Sequence, residues 1–527
     1  MDAQPWWKRG AVYQIYPRSF ADSDGDGVGD LRGIIARLDH LAGGGSGALG
    51  VEAIWLSPFY PSPMADFGYD VSDFCDVDPL FGTMADFDEL LGAAHDRGLR
   101  VIVDWIPNHT SSEHPWFREA RASRENPKRD WYVWRDPAPS GGPPNNWVSS
   151  FRRFGSAWTL DEETGQLYLH SFAPDQPDLN WDNPEVEAAM HRTLRFWLDR
   201  GVDGFRIDVV HKLGKDPELR DNTDGRRHDE DWPSVHQRLV GIRRVLEEYE
   251  DRMAVGEVYL LDQRRLVRYV STGDELHLVH NFVFLNLAWS AADMRRTIDE
   301  FEVLGGEEAW PAWCLSNHDH SRVASRYDDG GHGPARARVA AMLLLTLRGT
   351  PFLYQGEELG LPDAPIPPER VVDVDGRDPE RAPLPWAPPS QAGPSAGFTT
   401  GVPWLPPVPD AEHLNVTTQG ADPRSTLSLY RALCRRRAES PALREGAQRS
   451  LDAGPDLLAY TREHRDERLL VVLSFSAAPR RLDAPGAGLS GSAQVELSTD
   501  PDRPPGQEVD LLALELHPDE GMLLRLP

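Results

Sequence analysis

Gly204-Phe205-Arg206-Ile207-Asp208 ends a short apolar run. On a strand, side chains two residues apart share a face, so Arg206 and Asp208 stand together. An arginine so placed holds a carboxylate ionised and lowers its pKa. An ionised, oriented carboxylate is what a covalent nucleophile requires. Glu257, in Val255-Gly256-Glu257-Val258, ends another apolar run. Apolar neighbours raise a glutamate and keep it protonated near neutral pH, as a general acid requires. Ser316-Asn317-His318-Asp319 and Asp104-Trp105-Ile106-Pro107-Asn108-His109 end two further runs, each with an Asn–His pair beside an aspartate. Taken singly, Arg206 and Asp208 read better as an internal ion pair, and Glu257 reads equally well as a strand-end carboxylate facing water. Converging at one place, so many buried charges cost several kcal/mol unless paired or used, and together they point to an active site.

The elements that carry these residues are short and mostly rich in β-branched or aromatic types, as buried strands are. Eight such runs occur, at 12–16, 53–56, 99–105, 202–209, 254–259, 278–284, 312–315 and 351–354. Helical spacing of apolar residues fills 86–97 and 183–199, the latter opened by Asn183 as N-cap and Pro184 at the first helical position. Eight strands alternating with helices predict an α/β fold, a (β/α)8 TIM barrel, and the polar residues sit at strand C-termini, where such barrels work. The barrel takes residues 1–109 and 176–440. About ninety residues separate the third and fourth strands, including the loop-rich stretch Pro137–Asn146, so 110–175 is read as an inserted domain. The Pro-rich region from Leu361 opens an elaborated loop, 361–420, over one face of the barrel. A helix at 425–437 closes it. Strand-like runs at 457–461, 468–475, 493–497 and 522–526 make 441–527 a C-terminal antiparallel β-domain. Gly43–Gly47 reads as a flexible surface insert.

The 527 residues are ample for a large core without a disulfide scaffold. Three cysteines at long spacing, Cys75, Cys314 and Cys434, argue for reduced thiols and against a zinc site. A formal charge of −29 repels nucleic acid and anionic lipid and suits a neutral or cationic small molecule. No stretch reaches ~18 uninterrupted apolar residues and no leader pattern opens the chain, so a cytoplasmic protein is expected. Nothing in the sequence sets an oligomeric state. The 17 tryptophans are expected mainly in packing, with stacking on sugar rings as the alternative.

The four motifs, in this order, resemble glycoside hydrolase family 13, the α-amylase family. Gln176-Pro177-Asp178-Leu179-Asn180 resembles the QPDLN segment of its oligo-1,6-glucosidase and α-glucosidase subfamily. AIWLSP (53–58), GTPFLYQGEELG (349–360) and GRDPERAPLPW (376–386) fit as well. The resemblance implies Asp208 as nucleophile, Glu257 as acid/base and Asp319 as transition-state stabiliser. It also implies that Asp66, Tyr69, His109, Phe172, Gln176, Arg206, His318 and Arg381 line the pocket for a terminal glucose. It implies a retaining, exo-acting α-glucosidase on short oligosaccharides. Val209, after the nucleophile, leans towards α-1,6 over α-1,4 linkages. A transglucosidase or isomerising synthase shares the same intermediate, and a non-catalytic, transporter-associated relative is the remote alternative.

No cofactor is expected for catalysis. The loop Asp22-Ser23-Asp24-Gly25-Asp26-Gly27-Val28-Gly29-Asp30 begins like an EF-hand, but its twelfth position is Gly33, so the bidentate glutamate is missing. Four carboxylates and the Val28 carbonyl still suit a hard cation, and the resemblance implies a structural Ca²⁺ there, Mg²⁺ being the other candidate. His114 and His211 are read as structural.

Overall fold

A computed structural model describes residues 4–42, 47–306 and 308–527; the Gly43–Gly47 insert, apart from Gly47, lies outside the described residues. Eight parallel strands close a barrel: Val12–Ile15, Ala53–Leu56, Arg100–Trp105, Gly204–Ile207, Met253–Gly256, Leu278–His280, Pro311–Trp313 and Thr350–Tyr354. The eighth pairs back onto the first, Val12 opposite Phe352. Several strands are shorter than their apolar runs, because the run continues into the loop that carries the functional residue. Val202–Val209 contains a strand of only Gly204–Ile207, for example. The expected α/β barrel is present. Alternate strand residues, among them Val12, Ala53, Trp55, Ile102, Val255, Ala312 and Phe352, fill its interior.

The helices begin where their caps place them. Asn183 accepts from the Glu185 N–H ahead of Pro184–Arg200, and Gly201 ends that helix at φ 103°. Thr83 and Asp86 form a reciprocal capping box on Met84–Asp96. Asn183 and Pro184 were legible as an N-terminus because their signal is local.

Between the third and fourth barrel strands lies a small antiparallel sheet, with Gln166–Leu169 central between Trp134–Arg135 and Trp158–Asp161. Trp147, Ala157, Trp158, Leu167 and Leu169 give it a core of its own. After the eighth strand the chain crosses the mouth of the barrel and folds back on the acidic loop. The Asp22 and Trp404 amides donate to Phe398 and Gly27 carbonyls, at 3.0 and 2.9 Å. Gly27 is required there: its φ is +97° and a Cβ would lie 2.0 Å from the Val402 carbonyl oxygen.

The C-terminal part forms a six-stranded antiparallel sheet with Leu457–His464, Glu467–Ser474 and Gly521–Arg525 at its centre. It docks on the barrel helix Gly333–Thr346, buried on nearly every side. Arg462, fully buried, donates to the Thr346 carbonyl at 2.6 Å across this junction. Trp6, Trp55, Trp105, Trp147, Trp197 and Trp313 are among the largest buried side chains, so these tryptophans serve packing. No helix among the described residues is long and apolar enough to cross a membrane.

Candidate active site

The strand ladder continues past the strand ends and places the two principal carboxylates. The Asp208 N–H donates to the Trp105 carbonyl at 2.9 Å and the Glu257 N–H to Ile207 at 2.8 Å. Arg206 lies between them, almost wholly buried. Its Nη1 contacts Asp208 at 2.7 Å and Asp104 at 2.8 Å, and its Nη2 contacts Glu257 at 2.6 Å. Val209 adopts φ 36°, costly for a β-branched residue, and its N–H donates to Glu257 at 3.2 Å.

One guanidinium therefore serves three carboxyl groups. Burial pushes Asp208 well up, and the Glu257 and Asp104 charges add to the rise, outweighing the pull of Arg206. Burial likewise raises Asp104 to about 6. The expectation that Arg206 alone would depress Asp208 is thus corrected: burial and two like charges outweigh it. The environment expected of Glu257 is corrected too. Its carboxylate meets a guanidinium and an amide rather than apolar side chains alone.

A second group faces it. Arg377 contacts Asp66 at 2.6 Å, Asp373 at 2.7 Å and Asp319 at 3.0 Å. Arg381 contacts Asp319 at 2.8 Å and Asp373 at 3.2 Å. Burial opposes ionisation of Asp319, but the Arg377 and Arg381 guanidinia hold it well below the usual carboxylate range. Burial drives His318 down to about 3, so its ring is neutral. With Gln14 on Nδ1 at 2.7 Å, His318 carries its proton on Nε2 towards the Tyr69 hydroxyl, 2.7 Å away. Tyr69 in turn donates to Asp104 at 3.1 Å. His109 is also lowered by burial and sits between the Asn108 and Gln176 amides, each at 3.1 Å.

These groups border one cavity of about 670 Å³. Asp208, Glu257, Asp319, Asp66, Tyr69, His109, Phe172 and Val209 line it. Arg206, Gln176, His318 and Arg381 do not: each is at most 1 % exposed and stands behind the wall, holding a lining residue. Arg377 takes the wall position expected of Arg381. The two lie four residues apart, Arg381 as the last residue of the 3₁₀ turn Pro379–Arg381 and Arg377 just ahead of it, so spacing alone gave no means of choosing between them. Asp104 was also unassigned, although parallel pairing sets it opposite Arg206. His211 borders the cavity, whereas His114 caps a helix by accepting from the Trp116 N–H. Lys212, Arg227, Glu230, Tyr259 and His320 also line it, on connections between barrel strands whose contacts no local pattern announces. In the acidic loop the carboxylates of Asp22, Asp24 and Asp30 approach within 4.8 Å of one another. Asp26, expected among the ligands, is outside that trio; its Oδ1 accepts from the Val28 N–H at 2.7 Å.

Residues 14–446 match the family model described as the α-amylase catalytic domain. The chain belongs to the α-amylase family. Within glycoside hydrolase family 13 it falls in the α-glucosidase subfamily, and it is an enzyme of that class. It is 42 % identical over 510 residues to a probable α-glucosidase of Rhizobium meliloti, covering 89 % of both chains. It is 40 % identical over 521 residues to an oligo-1,6-glucosidase of Parageobacillus thermoglucosidasius, covering 89 % of this chain and 90 % of that one. Among solved structures, an α-glucosyl transfer enzyme superposes with a TM-score of 0.89 at 40 % identity, covering 99 % of this chain and all of the other.

Proposed function

We propose that the protein is a retaining, exo-acting α-glucosidase of short oligosaccharides, with a slight preference for α-1,6 over α-1,4 linkages. The observation that carries this reading is the bridging of Asp208 and Glu257 by one guanidinium at the wall of a single cavity. That shared anchor fits the ~5–5.5 Å carboxyl spacing of retaining enzymes better than the wider spacing that admits a water. Glu257 protonates the glycosidic oxygen while Asp208 attacks the anomeric carbon and forms a β-glucosyl ester. Water, deprotonated by Glu257, then releases α-glucose. Asp319, ionised between Arg377 and Arg381, receives sugar hydroxyls with Asp66 and His109. The cavity's size belongs to small-ligand sites rather than polymer clefts. Arg153 donates to the Val374 carbonyl at 3.1 Å and ties the inserted domain to the loop after the eighth strand, which favours attack at a chain end.

The Asp22–Asp30 loop fits a structural Ca²⁺ or Mg²⁺: three converging carboxylates offer hard oxygens, held in place by backbone N–H groups. No catalytic step needs it. Chelation is expected to lower the melting temperature while leaving kcat unchanged at a permissive temperature.

The test is glucose release from maltose, isomaltose, sucrose and trehalose at equal concentration, with Asp208→Asn as control. Isomaltose above maltose supports the Val209 reading, and the reverse order removes it. Transfer is the second reading, supported by the likeness to the glucosyl transfer enzyme. New disaccharides in place of free glucose would favour it. Turnover no better in wild type than in Asp208→Asn would defeat both.

A further inference from the structure

A second cavity, of about 700 Å³, lies where the inserted domain meets the loop after the fourth barrel strand. Its residues are separate from those lining the catalytic cavity. The two share a wall. Along one short segment, His211 and Lys212 face the catalytic cavity, whereas Leu213, Lys215 and Asp216 face the second. Lys215 is the link between them. Its Nζ donates to the Lys212 carbonyl at 2.6 Å and to Asn108 at 2.8 Å, and pairs with Asp178 at 3.0 Å. Asn108 holds the His109 ring, which lines the catalytic cavity.

The chemistry of this second cavity selects its ligand. Its cations are Arg124, Arg129, Arg135 and Lys215. Its carboxylates are Glu125, Asp130, Asp182 and Asp216, equal in number, so no net charge favours an anion or a cation. The amides of Asn126, Gln166 and Asn180 line it too, each also hydrogen-bonded to neighbouring residues of the protein. Trp134, only 6 % exposed, contributes an indole N–H that is buried without an acceptor. A concave site of this size with balanced charge, several amides and an unpartnered indole donor suits a compact, uncharged polyhydroxylated molecule.

We propose that this cavity is a second carbohydrate-binding site, taking a neutral mono- or disaccharide, and that Lys215 transmits its occupancy to the catalytic cavity. This goes beyond the proposed activity. Binding of isomaltose to the Asp208→Asn protein, measured by equilibrium dialysis, tests it. Two equivalents per chain are expected. Asn126→Trp, in the inserted domain, and Pro217→Trp, in the loop after the fourth barrel strand, both crowd the second cavity, and each, in the Asp208→Asn background, is expected to leave one equivalent. One equivalent without a filling substitution, or a second equivalent that survives both, overturns the site. Absence of any binding defeats this site and counts against the catalytic reading as well. Loss of one equivalent on filling, beside normal turnover by the wild type, supports both. For the coupling, the wild-type rate curve is expected to depart from a single hyperbola at high isomaltose, and the filled variants to follow one. A hyperbola throughout in the wild type overturns the coupling.

Discussion

Arg206 is the residue on which the catalytic group depends, because it is the one guanidinium in contact with Asp104, Asp208 and Glu257. Its removal leaves buried carboxylates facing one another, a loss of roughly 3–5 kcal/mol for a broken buried pair. Arg206→Ala is expected to lower stability by about that amount in denaturant unfolding and to abolish turnover. Arg206→Lys should fold better but remain nearly inactive, since an ammonium cannot serve the two carboxylates through separate nitrogens. Retained activity in Arg206→Lys would show that the bridge is dispensable. The raised Asp208 carboxyl makes a prediction for pH. Attack needs the ionised form, so kcat/KM falls as pH drops through a value well above the ~3.9 of a free aspartate. Asp104→Asn removes one of the like charges and frees Arg206 for Asp208, so this acid limb is expected to move to lower pH. An unmoved or raised limb would place the titrating group elsewhere. Glu257→Gln should cost ~10²–10⁴ in kcat for substrates with poor leaving groups, and less for activated aryl glucosides.

At the scale of elements, the barrel strands were legible because each is a short apolar run ending in a polar residue, and a parallel barrel buries both faces of its strands. Asp208, Glu257 and Asp319 were legible for the same reason, being where those runs stop. Arg377, Glu230 and Tyr259 were not. They reach the cavity from long connections whose paths depend on packing between distant segments, as when Arg377 meets Asp66 across 311 positions. The electrostatic reading of Asp208 failed because it weighed the arginine two residues away and not burial or the two neighbouring carboxylates, Asp104 and Glu257. The long loop after the eighth strand depends on equally remote contacts. Gly27→Ala would drive a Cβ into the Val402 carbonyl at a positive φ. It is expected to loosen the seam between the acidic loop and residues 398–404. Faster limited proteolysis in that region would report it, and unchanged proteolysis would mean that the seam relaxes at no cost.

At the scale of the whole molecule, buried arginines that serve carbonyls join the parts: Arg462 ties the C-terminal domain to the barrel, and Arg437 ties the helix Thr426–Glu439 to the rest of the barrel. Arg437 donates to Leu345 and Leu347 at 3.0 Å each and also to Gly349, satisfying carbonyls between the helix Gly333–Thr346 and the eighth strand. Arg437→Met would leave these buried acceptors unpaired, at ~1–3 kcal/mol each. A loss of at least about 3 kcal/mol is expected in equilibrium unfolding, with kcat preserved below the transition. Preserved stability would show that water replaces the guanidinium. In the proposed reaction Asp208 displaces the leaving group at the anomeric carbon, and water deprotonated by Glu257 then displaces Asp208. Proton NMR of the first glucose released from isomaltose tests that most directly. The account requires the α-anomer to appear first, with β-glucose following only as the sugar mutarotates. Initial release of β-glucose would contradict the covalent role of Asp208.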